Sequence, residues 1–190
     1  NGDVERKFFK DDFSVDTSSQ YTGDVESFTG WGTGILTSAS MNKFIWSRQR
    51  FPNQDGVFSV VIKVTEQPSL NYLSVGPTVG CAVSNESYSF ELYKEDTTWM
   101  LLVRKFMNGI YVSNIGHVVI GDPVGSDREI KVVKTGSTVQ IYLNGVLRMT
   151  HTLPFTESTL KMGIRIYGVP SEFHSITYAP SISYADDFTT

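Results

Sequence analysis

The residues of this chain that could do chemistry are few and widely spaced. Glu86 and Glu91 lie five apart in E-S-Y-S-F-E. Side chains alternate along a strand, so these carboxylates point to opposite faces and cannot serve one substrate as an acid and nucleophile pair. His117, His151 and His174 stand alone, without the H-x-H or H-E-x-x-H spacing that zinc takes. No serine sits in G-x-S-x-G. The single cysteine, Cys81, lies in the apolar run V-G-C-A-V with no histidine near it in sequence. It reads as a buried thiol rather than an activated nucleophile, and it leaves no partner for an intrachain disulfide. This residue set argues against an enzyme.

What remains is better suited to recognition. Sugars stack their apolar C–H patches on flat aromatic faces, while neighbouring amide or guanidinium groups take the hydroxyls. Tyr142, Tyr167, Arg165, Arg104 and Gln140 have those chemistries, and they form one patch if the strands that carry them are neighbours. Otherwise they belong to an ordinary solvated sheet face. A second group, Tyr21, Trp31, Trp46 and Tyr72, is expected at a loop end, with Trp31 in G-W-G-T-G. There a tryptophan more often caps the core than meets a ligand. No cofactor is required. Calcium is the one metal left open, because Asp11, Asp12, Asp16 and Asp24 crowd the N-terminal strand and loops. The competing reading is a solvated acidic turn that protects a sheet edge.

The elements that must position these residues are strands. In T-V-Q-I-Y-L, Val139, Ile141 and Leu143 alternate with Gln140, Tyr142 and Asn144, the period of a half-buried strand. Asn144-Gly145 tolerates the positive φ of a type I′ turn, and Val146, Leu147 and Met149 return. Val57 to Thr65 alternates too, with Phe58, Val60, Ile62 and Val64 on one side. Tyr72 to Val83 reads as a strand pair broken at Gly76-Pro77. Trp99, Leu101 and Val103 put Met100, Leu102, Arg104 and Phe106 on the opposite face, and Asn108-Gly109 closes that hairpin. Val139, Ile141 and Leu143 with Met162, Ile164 and Ile166 are expected as one sheet's share of the core. About a dozen strands separated by turn residues predict an all-β fold, an antiparallel two-sheet β-sandwich.

Composition bounds the partners. A chain of 190 residues, 40% apolar, can bury a real core in one domain. A net charge of -4 and no basic stripe argue against nucleic acid. No apolar run reaches the ~18 residues that membrane insertion needs. Residues 1–7 read as a linker, 8–180 as the sandwich, and 181–190 as a tail. Asp11-Asp12-Phe13-Ser14 recurs as Asp186-Asp187-Phe188-Thr189, which reads as the entry to a following module of similar kind.

The order of these pieces resembles the concanavalin A-like lectin/glucanase superfamily, in its laminin-G-like branch. The matching stretches are D-D-F-S-V-D-T-S-S-Q-Y-T, Gly-Trp-Gly at 30–32, V-F-S-V-V-I-K-V, W-M-L-L-V, E-I-K-V-V, T-V-Q-I-Y-L-N-G-V-L and M-G-I-R-I-Y-G. The resemblance implies a jelly roll of two curved sheets that binds glycan or polysaccharide. It also implies a place in an extracellular protein or a bacteriophage tail, among neighbouring modules or in a homo-oligomer. The glucanase branch carries E-x-D-x-x-E. Here the nearest stretch is Glu91-Leu92-Tyr93-Lys94-Glu95, with Tyr93 where the aspartate belongs, so the resemblance implies a binding module rather than a hydrolase. The alternative is a structural or oligomerising domain with an apolar contact through Met100, Leu102 and Phe106.

Overall fold

The computed structural model describes residues 8–180, which form two antiparallel sheets packed face to face. The first sheet runs, in spatial order, β1 (Phe9–Asp11), β15 (Ser171–Pro180), β6 (Gly56–Val64), β11 (Asp127–Thr135), β12 (Thr138–Leu143) and β13 (Val146–Thr152), with β3 (Leu36–Ser38) also on β15. The second runs β10 (Ile110–Ile120), β9 (Thr98–Met107), β8 (Glu86–Glu95), β7 (Leu73–Cys81), β14 (Thr159–Tyr167), β4 (Lys43–Ser47) and β2 (Tyr21–Gly23), with β5 (Phe51–Pro52) also on β14. This is the all-β sandwich that the alternation predicts. The linker 1–7, the tail 181–190 and the second D-D-F-T stretch lie outside the described residues.

Local chemistry accounts for the hairpins. Asn144 and Gly145 both have positive φ, 49° and 77°, as a type I′ turn needs, and join β12 to β13. Asn108 and Gly109 do the same between β9 and β10. Along β6, burial alternates residue by residue, and Phe58, Val60, Ile62 and Val64 face the core. Fully burying each such side chain stabilises the fold by about 1.5–3 kcal/mol.

Two expectations about the strands are corrected. Val139, Ile141 and Leu143 do not share a sheet with Met162, Ile164 and Ile166. β12 belongs to the first sheet and β14 to the second, so the two sets meet across the core. Alternation identifies a strand's apolar face but not the sheet that receives it. Nor does Gly76-Pro77 split the 72–83 stretch. β7 runs unbroken through both residues because β14 still pairs with them, Arg165 opposite Gly76 and Ile164 opposite Pro77.

The D-D-F opening is a structural corner. Asp11 is buried, and its Oδ1 accepts the Phe13 N–H at 2.8 Å, holding Phe13 at a φ of 57°. Its Oδ2 accepts the Thr17 hydroxyl at 2.6 Å and the Tyr21 hydroxyl at 2.8 Å. Burial, followed by the Asp11 charge, raises the Tyr21 phenol far above its ordinary value.

Candidate functional site

The outer face of the eight-stranded sheet is built from side chains that point away from the core. The cross-strand register sets them in rows. One row reads Phe44 (β4), Arg165 (β14), Gly76 (β7), Glu91 (β8), Leu102 (β9) and His117 (β10). The next reads Trp46, Gly163, Thr78, Ser89, Arg104 and Asn114. A third reads Lys161, Gly80, Ser87, Phe106 and Tyr111. On the other side of the first lies Tyr167, Ser74, Tyr93, Met100 and Val119.

Residue size along these rows makes a trough. β7 contributes Ser74, Gly76, Thr78 and Gly80, so the floor is low, while β4, β9 and β10 raise aromatic walls. The sheet also curls strongly. Phe44 and Phe106 sit on strands four places apart, which a flat sheet would hold about 19 Å apart at ~4.8 Å per strand. Their ring centroids are 5.7 Å apart, edge to face. That contact bridges the trough and divides it in two.

The larger groove, about 500 Å³, is lined by Asn42, Tyr72, Tyr93, Arg104, Tyr111 and Asn114, with Phe106, Arg165 and Tyr167. Its floor carries a buried charge cluster. Glu91 is 0% exposed, and its Oε1 accepts from Arg165 Nη1 at 2.7 Å and from the Ser89 hydroxyl at 2.9 Å. Its Oε2 lies 3.4 Å from Arg104 Nε. Arg165 also donates to Ser74 Oγ at 2.9 Å and to Asn42 Oδ1 at 3.3 Å, and its guanidinium lies 4.7 Å from the Phe106 ring centre and 5.2 Å from that of Tyr167. Arg104 lies 4.4 Å from the Tyr93 ring centre and 5.9 Å from that of Tyr111. Burial raises the Tyr93 phenol above its ordinary value, against the opposing pull of Arg104.

The smaller groove, about 320 Å³, lies beyond Phe44 and is lined by Trp46, Asn85, Ser87, Asn108, Lys161 and Asp24. Trp46 stacks parallel on Phe44, with centroids 5.9 Å apart. The Lys161 ammonium lies 4.5 Å from the Trp46 ring centre and donates to Asn85 Oδ1 at 2.8 Å. Burial, and then the charge of Arg50, lowers that ammonium below the ordinary lysine value. Together the grooves offer flat aromatic faces beside amide and guanidinium donors, a surface able to hold a hydroxyl-rich ligand.

The structure brings together five of the residues singled out from sequence: Arg104, Arg165, Tyr167, Tyr72 and Trp46. It does not bring in Gln140 and Tyr142, whose strand lies in the other sheet and whose side chains point to the opposite outer surface. There Tyr142 donates to Gln140 Oε1 at 3.3 Å and lies 5.1 Å from the Lys131 ammonium. The loop-end group also divides. Trp31 packs against Phe13 and Tyr21 at the end of the core, its indole N–H donating to the Phe28 carbonyl at 3.2 Å. Trp46 and Tyr72 face the two grooves.

Asp11 and Asp12 sit next to each other with separate tasks. Asp11 is engaged in the corner described above, and Asp12 accepts the Ser14 N–H at 3.1 Å. Asp16 accepts from Ser18 N–H, and Asp24 from Lys43 and the Phe44 N–H. Among the described residues, no three carboxylate, histidine or cysteine groups gather as metal ligands would. Met100, Leu102 and Phe106 do occupy the outer face, but the chain itself buries them. Met100 and Leu102 pack with Tyr93, and Phe106 is covered by Phe44, Tyr111 and Arg165. An apolar oligomer contact through those three is therefore corrected, because sheet curvature hides them.

Sequence reasoning missed Phe44, Asn42, Tyr93, Tyr111 and Lys161. A signal existed for the floor: in L-S-V-G-P-T-V-G-C every second residue is small, which is unusual for a strand face left to solvent.

No family model matches the chain, and no curated protein matches it. Solved structures do. A carbohydrate-binding module, CBM66, from Bacillus subtilis superposes with a TM-score of 0.60 at 15% identity, covering 84% of this chain and 95% of that one. The carbohydrate recognition domain of Emp47p gives 0.72 at 9%, covering 96% and 100%. A Bacillus licheniformis beta-glucanase gives 0.66 at 15%, covering 92% and 98%. At such identities the likeness is one of fold, and the fold is the concanavalin A-like jelly roll.

Proposed function

We propose that this jelly roll is a non-catalytic carbohydrate-binding module of a larger extracellular or virion-tail protein, attaching it to a glycan surface. The observation that carries the reading is the divided trough, where Trp46, Tyr93, Tyr111 and Tyr167 stand beside Arg104, Arg165, Asn42 and Asn114 over a floor of small residues. The likeness in fold to a carbohydrate-binding module and to a carbohydrate recognition domain adds support. A shallow open site binds weakly by itself, and repetition of modules on one fibre would strengthen attachment.

Two features favour binding over hydrolysis. Glu91, the carboxylate at the trough floor, is buried and ion-paired with arginine on two sides, so it lacks the access to substrate that a general acid needs. Glu86 faces the other way and accepts the Tyr88 hydroxyl at 2.6 Å. Binding is also expected without calcium, since Asp11 already spends both its oxygens on the corner.

The experiment is a screen of glycans and cell-surface preparations with calcium and again with a chelator. Binding in both buffers that falls on Trp46→Ala, with unchanged melting, supports the reading. A blank screen with folded protein overturns it. Turnover of a bound glycan that is lost on Glu91→Gln would replace it with an enzyme.

A second reading, a structural module that joins copies, draws on β10. This eleven-residue edge strand exposes Ile110, Tyr111, Val112 and Val119. A clean monomer in light scattering counts against it.

A further inference from the structure

The charge balance of the larger groove says more about its ligand than the aromatic walls do. Two arginines and one carboxylate meet there, and the carboxylate lies wholly beneath the surface. Among the described residues, no carboxylate stands in the lining itself. Glu95, next on that face of β8, lies outside it. The site therefore carries one positive charge in excess, on a chain whose net charge is -4.

That excess sits on Arg104. Arg165 turns its terminal nitrogens to the floor, with Nη1 on Glu91 and Ser74 and Nη2 on Asn42, and its Nε is buried without a partner among the described residues. Arg104 faces Glu91 with Nε, the edge nearest its stem, at 3.4 Å from Oε2 and without a hydrogen bond. Its two terminal nitrogens make no hydrogen bond among the described residues, and the side chain lines the groove. The side chain is 12% exposed, held between the rings of Tyr93 and Tyr111 with Asn114 opposite in the register. A guanidinium fixed this way offers a planar fork of donors with little left to lose in rotamer freedom, the geometry that receives a carboxylate in bidentate fashion. Neutral sugars need no such charge, and a guanidinium this far buried whose terminal nitrogens lack hydrogen-bond partners costs stability unless a ligand meets them.

We propose that the larger groove takes an acidic sugar, a uronic acid unit of a glycan chain, with its carboxylate on the terminal nitrogens of Arg104. The proposal rests on the glycan-binding reading and narrows it. The neighbouring units of such a chain would extend past Phe44 towards Trp46.

The test titrates the whole chain with galacturonate, alginate, hyaluronan and glucuronoxylan oligosaccharides, each against its own carboxyl-reduced form, alongside sulfated galactan and neutral oligosaccharides. The expected result is at least one uronic acid oligomer bound about tenfold or more tightly than its reduced form. Raising salt should weaken that preference, and Arg104→Gln should abolish it. Arg104→Lys keeps the charge without the fork and should retain a small part of the preference, which protects the test if Arg104→Gln folds poorly. Tyr142→Ala, on the other sheet, should change nothing. Equal binding of the acidic and reduced forms, or a preference for the sulfated or neutral panels, overturns the acidic-sugar proposal and leaves the glycan-binding reading standing. No binding to any member of the panel overturns both.

Discussion

Arg165 reaches Glu91 across an intervening strand. The two residues belong to β14 and β8, with β7 between them, yet Nη1 and Oε1 are 2.7 Å apart. Gly76 occupies the place between them. It pairs with Arg165, and a Cβ there would collide with the Phe90 carbonyl and the Glu91 backbone. The missing side chain lets β8 come close and leaves the guanidinium a path across the floor. The ion pair thus ties three strands together beneath the candidate site.

Arg165→Met is predicted to leave a buried carboxylate short of its main partner and to destabilise the fold by about 3–5 kcal/mol. Urea unfolding checks this. The double variant Arg165→Met with Glu91→Leu should recover much of the loss, because an apolar pair needs no counter-charge. Equal stability of the single variant and the parent would mean that the pair contributes nothing net.

Trp46→Ala is predicted to weaken glycan binding about tenfold, or ~1.4 kcal/mol, with little change in melting, since Trp46 is only partly buried and lies outside the core. Tyr142→Ala should leave affinity unchanged because it faces away from the trough. Calorimetric titration of both variants against one ligand separates the two sheets as binding surfaces.

Asp11→Ala is predicted to cost about 3 kcal/mol, since it strands the Thr17 and Tyr21 hydroxyls and the Phe13 N–H in a buried corner. The effect should appear as a lowered denaturation midpoint with or without a chelator. A loss that calcium reverses would instead assign the N-terminal aspartates to a metal.

Stability should fall in acid. Hydrogen bonds from Tyr88 and then Lys105 hold Glu86 below the ordinary glutamate value of 4.5, and those from the Ser84 and Val83 loop do the same for Glu157. Ser14 and Ser18 act likewise on Asp12 and Asp16. A carboxyl with a depressed folded value stabilises fully above its unfolded value and loses that contribution as pH falls through the folded one. The loss should therefore begin near pH 4.5 and deepen below it, as read from melting temperature against pH. Glu86→Gln should flatten part of that slope.

The sequence by itself determined most of the strands, their faces and their turns, though not the continuity of β7 through Gly76-Pro77. Asn144-Gly145 and Asn108-Gly109 require positive φ, and the alternation from Val57 to Val64 divides core from solvent. Each is local physics, fixed by a residue and its near neighbours. Trp31 as cover for the core end was legible for the same reason. Only the tertiary structure decided which strands lie side by side. Any strand with one apolar face can satisfy either sheet, so Tyr142 and Tyr167, alike in sequence pattern, end on opposite outer surfaces. The curl that brings Phe44 onto Phe106, and the approach of Arg165 to Glu91 over Gly76, follow from pairings between residues distant in the chain. The trough is the product of that sheet order and curvature, and neither is encoded in any single stretch.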